Sequence, residues 1–274
     1  MATNSSMRAG DRAAPFAGRH VAITGASSGV GAALARVLSS HRSVLLLIGR
    51  NETRLASVAA ECTAAGATVQ VAICDVTNQE ALATCLLGAD SRLPIDVVIA
   101  NAGIGGEDAM APACGESAAQ ARSIFETNTM GVIHTCAPLL DRMVRRRSGH
   151  LVIVSSIMAY RGLADAPVYA ASKAAARVYG QGLSALLAPH GVKVLVACPG
   201  FVDTPMSRSL PFKKPFMVTA ERAAERILSA VSSGRREIAF PWQLSLATRA
   251  ANFFPARIVD PVLQWSRDRL ARHS

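Results

Sequence analysis

Residues 20–38 read HVAITGASSGVGAALARVL, an apolar run followed by a glycine-rich turn and then an Ala/Leu-rich run. The apolar run has the length of a buried strand, and the Ala/Leu-rich run has the composition of a helix. Glycines let the backbone of the turn approach a ligand closely, and the start of the helix offers free N–H groups and the positive end of a dipole. This strand, turn and helix therefore predict a site for the pyrophosphate of a dinucleotide.

Short apolar runs alternate with Ala/Leu-rich runs along the rest of the chain. Strands are predicted at His20–Thr24, Val44–Ile48, Thr68–Ile73, Asp96–Ala100, His150–Ser155, Lys193–Cys198 and Glu237–Phe240. Helices are predicted at Gly29–Ser40, Thr53–Ala65, Gln79–Leu87, Ser117–Arg146, Pro167–Ala188 and Thr219–Ser233. Near-continuous apolar strands between helices are typical of a parallel sheet that is covered on both faces. The chain is therefore predicted to be a single α/β domain, a Rossmann-type doubly wound parallel sheet of about seven strands.

The composition is that of a globular protein. The chain has 274 residues, of which 50% are hydrophobic and 18% charged, and this length suits one α/β domain. Residues 1–18 are small and polar, without the apolar core of a signal peptide, and are predicted to be a disordered leader. The cysteines show no metal-binding spacing, so we expect free thiols, a reducing, cytoplasmic location and no metal site. They are Cys62, Cys74, Cys85, Cys114, Cys136 and Cys198.

Polar, glycine or proline residues follow six of the predicted strands. They are Gly25, Gly49 with Arg50, Asp75, Asn101, Ser156 and Pro199, in chain order. Ligands of doubly wound sheets bind beyond the carboxyl ends of the strands, where these residues would meet. The pattern thus locates one binding site at that edge of the sheet.

Tyr169 and Lys173 are four residues apart in a predicted helix and therefore share a face of it. A phenol has an ordinary pKa of about 10, and a neighbouring ammonium favours its charged form. We therefore expect Lys173 to bring the pKa of Tyr169 toward the working range of a general acid or base. Tyr160 and Tyr179 have no lysine four residues further on.

The chain resembles the short-chain dehydrogenase/reductase family over residues 19–240. The resemblance is carried by Thr24–Gly31, Asn101–Gly103, Asn128, Ser155–Ser156, Tyr169 with Lys173, and Pro199–Gly200, which occur in the family's order and at its spacings. It implies the strand order 3-2-1-4-5-6-7. It also implies hydride transfer between a nicotinamide cofactor and a carbonyl or secondary alcohol.

Catalytic roles follow from the resemblance for Asn128, Ser156, Tyr169 and Lys173. Ser156, thirteen residues before Tyr169, would hydrogen-bond the substrate carbonyl, and Tyr169 would transfer the proton. Asparagine is a poor residue inside a helix, and Asn128 would bend its helix and hold a water that links Lys173 to solvent.

The implied cofactor site runs from the glycine-rich turn to the Pro-Gly segment. Asp75 and Val76 would lie at the adenine, although an aspartate after a strand is also a common helix cap, and Val202 would present its backbone to the carboxamide. The cofactor-binding residues are predicted to be Gly25, Ser27, Ser28, Gly29, Val30, Gly31, Arg50, Asp75, Val76, Asn101, Ala102, Gly103, Tyr169, Lys173, Pro199, Gly200, Val202 and Thr204.

The residues after the second predicted strand, Gly49-Arg50-Asn51, bear on the choice of cofactor. NAD enzymes of this kind usually place a carboxylate there for the ribose 2′-hydroxyl, whereas a guanidinium suits a 2′-phosphate. NADP(H) is therefore predicted as the preferred cofactor, with NAD(H) as the alternative. Arg50 as a solvated loop residue is the competing interpretation, and the glycine-rich turn lacks the basic residue that many NADP-dependent relatives carry.

Residues 241–274 depart most from the family. Apolar side chains alternate there with arginines, which predicts an amphipathic helical extension that serves as a subunit contact, a substrate lid or a peripheral membrane contact. Each of these favours an apolar or bulky substrate. The net charge is +10, and residues 205–274 hold twelve Lys or Arg against five Asp or Glu. We attribute this charge to solubility and attraction of an anionic cofactor or membrane, and not to nucleic-acid binding.

Three functions compete on this sequence. They are an NADP(H)-dependent carbonyl reductase or alcohol dehydrogenase, a non-catalytic dinucleotide-binding redox sensor, and a membrane-associated interaction protein. The enzyme is favoured because all four predicted catalytic residues are present. A small carbonyl or alcohol is the expected substrate. A homodimer or homotetramer is expected through Ser117–Arg146 and Pro167–Ala188, which resemble the family's dimer helices.

Overall fold

Seven parallel strands form one sheet in a computed structural model of the chain, which describes residues 16–105, 115–162, 164–255 and 257–261. The strands of this sheet are β1 (His20–Thr24), β2 (Val44–Gly49), β3 (Thr68–Ile73), β4 (Val97–Ala100), β5 (Gly149–Val154), β6 (Val192–Pro199) and β9 (Glu237–Phe240). Their order is β3-β2-β1-β4-β5-β6-β9, and every neighbouring pair is parallel. The predicted doubly wound sheet and the predicted order of its seven strands are confirmed.

Helices connect the strands and cover both faces of the sheet. They are α1 (Gly29–Ser39), α2 (Glu52–Ala64), α3 (Gln79–Arg92), α4 (Ala118–Phe125), α5 (Gly131–Arg145), α6 (Pro167–Leu187), α7 (Pro205–Arg208), α8 (Ala220–Ser232) and α9 (Trp242–Ala250). Short 3₁₀ turns lie at Ile157–Tyr160, Ala188–His190 and Ala251–Phe253. Two short strands, β7 (Val202–Asp203) and β8 (Val218–Thr219), pair beside the main sheet. This small pairing and α7 were not predicted from the sequence.

The core has two layers, one on each face of the sheet. Alternate residues of β1 point to opposite layers, so that Ile23 packs with α1 and α8 and Ala22 packs with α3, α5 and α6. Leu34 in the first layer and Leu139 in the second are fully buried. Each such side chain contributes about 1.5–3 kcal/mol when it is removed from water. The rigid sheet that results holds the carboxyl ends of its strands in fixed positions.

The predicted helix Ser117–Arg146 is interrupted. A π-helical turn, Glu126–Met130, separates α4 from α5 and contains Asn128. An extra residue in the hydrogen-bond ladder produces such a turn, which hydrophobic periodicity does not reveal. Asn128, where a bend of the helix was expected, therefore lies at a change in helix type.

The two ends of the domain also differ from the expectation. Phe16, which we assigned to the leader, is 2% exposed and packs in the core, and its carbonyl accepts a hydrogen bond from the Ser43 hydroxyl. The leader prediction for residues 1–15 and the extension prediction for residues 262–274 lie outside the described residues. Cys114 lies there too, and the five described cysteines are free thiols.

The beginning of the C-terminal extension is helical and packs on the domain. Ser245 in α9 and Val259 after it are buried, whereas Trp242, Leu246 and Phe253 are more than half exposed. Within the described ranges, the helices are all too short or too polar to cross a membrane. Contact of this segment with a membrane surface stays a prediction.

Candidate active site

An open cleft of about 550 Å³ lies beyond the carboxyl ends of the central strands. Each of the six strands that we expected to contribute supplies a residue to its wall, from Gly25 after β1 to Pro199 at the end of β6. The predicted site residues along its wall are Gly25, Ser27, Ser28, Gly29, Val30, Arg50, Asp75, Val76, Asn101, Ala102, Gly103, Ser156, Tyr169, Lys173, Pro199, Gly200, Val202 and Thr204. Two predicted residues, Gly31 and Asn128, lie behind the wall. The structure thus brings together residues that are 179 positions apart in the chain.

The turn between β1 and α1 has the shape of an anion cradle. Gly25 and Gly29 adopt positive φ angles of 68° and 53°, and a Cβ on Gly31 would come within 2.3 Å of the Gly25 carbonyl oxygen. Within the described part of the chain, Ser28 is the N-cap of α1 but its side chain makes no capping hydrogen bond. The first N–H groups of the helix are therefore left for a ligand, and a phosphate group fits this arrangement.

Asn101 locks this turn to the end of β4. Its side-chain Nδ2 donates to the carbonyl oxygens of Thr24, at 3.1 Å, and Gly25, at 3.3 Å. A Cβ on Gly25 would lie only 2.8 Å from the Cα of Ala102, so only glycine fits there. The Asn-Ala-Gly segment thus buttresses the turn as well as lining the cleft.

Arg50 and Asp75 form an ion pair across the ends of β2 and β3, with 3.2 Å between Nη1 and Oδ2. Burial raises the pKa of Asp75, but hydrogen bonds from Thr77 and Arg50 outweigh it and hold that pKa below its ordinary value. Asp75 is therefore a carboxylate at neutral pH, and it orients the guanidinium along the cleft wall.

A second guanidinium in this region escaped the sequence analysis. Arg54 lines the cleft one helical turn after Arg50, where Asn51 caps α2 by accepting from the Arg54 amide at 2.9 Å. Recognising Asn51 as an N-cap would have placed Arg54 in the first turn of α2, close to the end of β2 where Arg50 lies. The cleft end at β2 is therefore basic, and no acidic residue directly follows that strand in the sequence.

Ser156, Tyr169 and Lys173 meet at the other end of the cleft. Ser156 is 7% exposed and is the N-cap of the turn Ile157–Tyr160, where its Oγ accepts from the Met158 amide at 3.2 Å. Lys173 is 5% exposed, its Nζ lies 5.9 Å from the centroid of the Tyr169 ring, and it donates to the Val154 carbonyl at 3.3 Å. A hydroxyl, a phenol and an ammonium thus share one corner, as their spacing in the sequence predicted.

The electrostatics of this corner differ from the expectation. Tyr169 opens to the cleft on one side, yet burial raises its pKa to about 12, and a hydrogen bond with Ser156 only partly opposes this rise. Burial likewise lowers the pKa of Lys173 to about 8. The expected lowering of the Tyr169 pKa by Lys173 is therefore wrong for the protein alone, because desolvation is the larger effect. At neutral pH the phenol is protonated and suited to donate a proton.

Asn128 is fully buried beside this corner and makes three hydrogen bonds. Its Oδ1 accepts from the Ile104 amide at 2.8 Å, and its Nδ2 donates to the Ile104 carbonyl at 3.0 Å and to the Ser172 hydroxyl at 3.2 Å. A Cβ on Gly103 would lie 3.0 Å from Asn128 Oδ1 and 3.1 Å from Lys173 Nζ. Asn128 therefore holds the segment that follows β4 against α6, and its role in a water relay stays a prediction.

The last segment of the wall runs from Pro199 to Ser207. Thr204 caps α7 by accepting from the Ser207 amide at 3.2 Å, and its methyl group lies 3.1 Å from a Cβ placed on Gly29. Wall residues that we did not predict include Asn51, Arg54, Cys74, Ile104, Thr127, Val154, Ser155, Pro205, Met206 and Ser207. Asn51 and Ser155 lie in segments that the sequence singled out, and Arg54 follows the cap at Asn51; the others carry no sequence pattern that separates them from other loop and strand-end residues.

The fold and cleft together define a dinucleotide-binding α/β protein. Residues 19–214 match the short chain dehydrogenase family, and the chain belongs to that family. It is accordingly an NAD(P)-dependent oxidoreductase that acts on the CH–OH/C=O pair.

Three similar proteins illustrate the relationship. An uncharacterized oxidoreductase of Myxococcus xanthus is 35% identical over 243 residues, which cover 88% of this chain and 95% of the relative. The ketoacyl reductase HetN of Nostoc is 31% identical over 226 residues, 81% of this chain and 78% of that protein. An alcohol dehydrogenase of Thermococcus sibiricus, solved with 5-hydroxy-NADP, superimposes with a TM-score of 0.72 at 27% identity and covers 81% of this chain and 95% of its own.

Proposed function

We propose that this protein is an NADP(H)-dependent carbonyl reductase in which Tyr169 is the proton donor, Ser156 binds the substrate oxygen and Lys173 supports Tyr169. One observation carries the proposal: a phenol whose pKa is raised to about 12 stands at the cleft beside a serine hydroxyl and a buried ammonium. A general acid must carry its proton at the operating pH, as this phenol does, although its raised pKa makes it a weaker donor until the Lys173 charge stabilises the phenolate.

The bound dinucleotide supplies the hydride for reduction and accepts it for oxidation. As the hydride reaches the carbonyl carbon, the O–H bond of Tyr169 breaks and the proton passes to the carbonyl oxygen, which Ser156 orients. The phenolate that remains lies near the Lys173 ammonium, whose charge stabilises it in the desolvated corner. Alcohol oxidation uses the same groups in reverse, with the phenolate of Tyr169 accepting the proton of the alcohol.

The preference for NADP(H) is supported by the charges at the β2 end of the cleft. Arg50 and Arg54 both line it, and the position that usually carries a carboxylate in NAD enzymes is occupied by Arg50. Two guanidinium groups suit a 2′-phosphate, which accepts charge-assisted hydrogen bonds. The alcohol dehydrogenase described above was solved with an NADP derivative.

An apolar or bulky carbonyl substrate is supported by the side chains around Tyr169. Met206 and Ile104 line the cleft there, and the Tyr169 ring and the Met206 sulfur both lie within 3.0 Å of a Cβ placed on Gly105. These groups exclude water from a substrate and offer apolar contact area but few hydrogen bonds. The similarity to a ketoacyl reductase agrees with a substrate of this kind.

Replacement of Tyr169 by Phe tests the proposal. We expect Tyr169→Phe to lower kcat for carbonyl reduction by about 10²–10⁴-fold, the contribution of a general acid, while the Kd for NADPH stays near that of the wild type. Tyr179→Phe, on the same helix and outside the cleft wall, is the matched control and should keep full activity. Steady-state kinetics on a panel of ketones and NADPH fluorescence titration give the two quantities. Turnover of Tyr169→Phe equal to that of the control would remove Tyr169 from the reaction.

A further inference from the structure

Glu237, the first residue of β9, is the centre of a polar cluster outside the cleft wall. Its carboxylate accepts from the Tyr160 hydroxyl at 2.7 Å and from the Gln181 amide at 2.9 Å. Two arginines also donate to it, Arg177 from Nε at 3.1 Å and Arg249 from Nη2 at 2.8 Å. One carboxylate therefore joins α6, α9, β9 and the turn that follows Ser156.

Tyr160 is held in this cluster from three directions. Its ring lies between the guanidinium groups of Arg177 and Arg249, whose Cζ atoms are 4.3 and 4.5 Å from the ring centroid. Its hydroxyl accepts from Arg249 Nη2 at 2.6 Å, and its carbonyl accepts from Asn252 Nδ2 at 2.7 Å. Arg249 and Asn252 belong to the C-terminal extension. The extension therefore holds Tyr160, the last residue of the turn, by hydrogen bonds.

The elements that meet in the cluster are those that carry the proposed reaction centre. The turn Ile157–Tyr160 starts directly after Ser156, and the Ala159 amide donates to the Ser156 carbonyl at 3.0 Å. Arg177 lies one helical turn beyond Lys173 on α6, which also carries Tyr169. The cluster therefore links the far end of the Ser156 turn to the helix that presents Tyr169 and Lys173.

We propose that Arg249 is a positioning residue, which through Tyr160 and Glu237 sets the distance of Ser156 from Tyr169. This inference rests on the proposed function. Residues 241–274 are predicted from the sequence to form a lid, a subunit contact or a membrane contact; the cluster gives the start of this extension a role in aligning the reaction centre. Arg249 touches neither the cleft nor any residue proposed to react, so it acts only through Tyr160 and Glu237.

The effect of Arg249 on the position of Ser156 can be measured apart from its effect on protein stability, because the Arg249 side chain is half exposed. Its side chain is 47% accessible, and an ion pair in contact with solvent contributes little to the free energy of unfolding. Without Arg249, in contrast, Tyr160 keeps its hydrogen bonds with Glu237 and Asn252 but loses the guanidinium that contacts both its hydroxyl and its ring, so the turn that follows Ser156 is held less tightly. Misplacement of a reacting group by about 1 Å from a change far from the chemistry can cost about 100-fold in rate.

The test compares Arg249→Gln, Arg249→Lys and the control Arg235→Gln in the full-length protein. Arg235 is exposed, precedes β9 by two residues and contributes none of the hydrogen bonds described for the cluster. We expect Arg249→Gln to lower kcat for ketone reduction about 10- to 100-fold without a change in the Kd for NADPH, and to lower Tm by no more than about 2–4 °C. Arg249→Lys, which keeps the charge but not the planar guanidinium that lies 4.5 Å from the Tyr160 ring centroid, should recover part of kcat, and Arg235→Gln should match the wild type.

Hydrogen exchange provides a readout that does not depend on turnover. The Met158 and Ala159 amides bond to Ser156, and both should exchange faster in Arg249→Gln while amides of β5 remain protected. If Arg249→Gln fails to fold, Tyr160→Phe removes only the hydroxyl that joins Glu237 and Arg249 and makes the same test. Wild-type kcat together with unchanged exchange in either variant overturns the inference. A wild-type protein that reduces no ketone refutes the proposed function, while the exchange measurement still tests the positioning role.

Discussion

At the scale of single residues, the ion pair between Arg50 and Asp75 governs the charge at the β2 end of the cleft. Only Nη1 of Arg50 contacts Asp75 in this pair, so the other N–H groups of the guanidinium can donate to a ligand. Arg54 adds a second cation, for which the described residues provide no ion pair. A 2′-phosphate would therefore meet two donors, whereas a 2′-hydroxyl would gain little from either.

We expect Arg50→Gln and Arg54→Gln each to lower kcat/KM with NADPH by about 10- to 100-fold, the value of one charge-assisted hydrogen bond, and to leave kcat/KM with NADH unchanged. Arg50→Asp should remove the NADP advantage altogether, since its carboxylate repels a phosphate. Kinetics with both cofactors provide the measurement, and Arg235→Gln again serves as the control. An unchanged NADPH to NADH ratio in both glutamine variants would show that these arginines are solvated surface residues.

At the scale of elements, the junction of the π-helical turn with α5 supports the end of the cleft beside β3. A Cβ on Gly131 would lie 2.6 Å from Cγ2 of Val76, a residue of the cleft wall. Val76 is held from behind as well, because its carbonyl lies 2.9 Å from Nδ1 of the buried His134. The close approach of α5 to the end of β3 therefore depends on a residue without a side chain.

We expect Gly131→Ala to weaken NADPH binding and to destabilise the protein by about 1–3 kcal/mol, the usual cost of overpacking, in spite of the better helix propensity of alanine. Gly88→Ala is the matched control, because Gly88 lies inside α3 and a Cβ there meets nothing within 4 Å. That variant should be neutral or more stable by about 0.5–1 kcal/mol. Denaturant unfolding and fluorescence titration of NADPH measure both effects. Equal behaviour of the two variants would contradict the packing argument.

At the scale of the whole molecule, α6 presents an uncharged surface. Its exposed residues are Pro167, Ala171, Val178, Gln181, Gly182, Ala185 and Leu186. Val178 and Leu186 are 61% and 63% exposed, and Phe125 and Met130 on the neighbouring helical segment are also exposed. Apolar patches of this kind mark interfaces, which agrees with the dimer helices expected from the sequence.

We expect the wild-type protein to form a dimer or tetramer and the double variant Val178→Glu, Leu186→Glu to dissociate, because four added carboxylates in a two-fold contact are costly to bury. Leu93→Glu, at a position 43% exposed after α3, is the control and should keep the native assembly. Light scattering after size-exclusion chromatography measures the mass. A monomeric wild type, or a double variant with native mass, would show that α6 is not a subunit interface.

Most of the fold was predictable because apolar periodicity reports burial directly. All seven strands of the main sheet lie within one residue of their predicted positions at either end. The π-helical turn at Asn128 was not predictable as such, since one additional residue per turn hardly changes which residues face the core. The packing of α9 against the turn that follows Ser156 was not predictable for another reason. Arg249 and Tyr160 are 89 residues apart, and the sequence around either residue gives no sign of its contact with the other.

The residue types at the strand ends already located the site along the chain, because parallel strands bring their carboxyl ends to one edge whatever their order. The pKa values of Tyr169 and Lys173, in contrast, depended on how the folded chain packs around them. The pKa of Tyr169 moves to about 12 and that of Lys173 to about 8 because the folded protein removes both from water, and a spacing of four residues contains no information about burial. Likewise, Arg54 joins the cleft and Glu237 joins three elements only where the folded chain brings distant segments into contact.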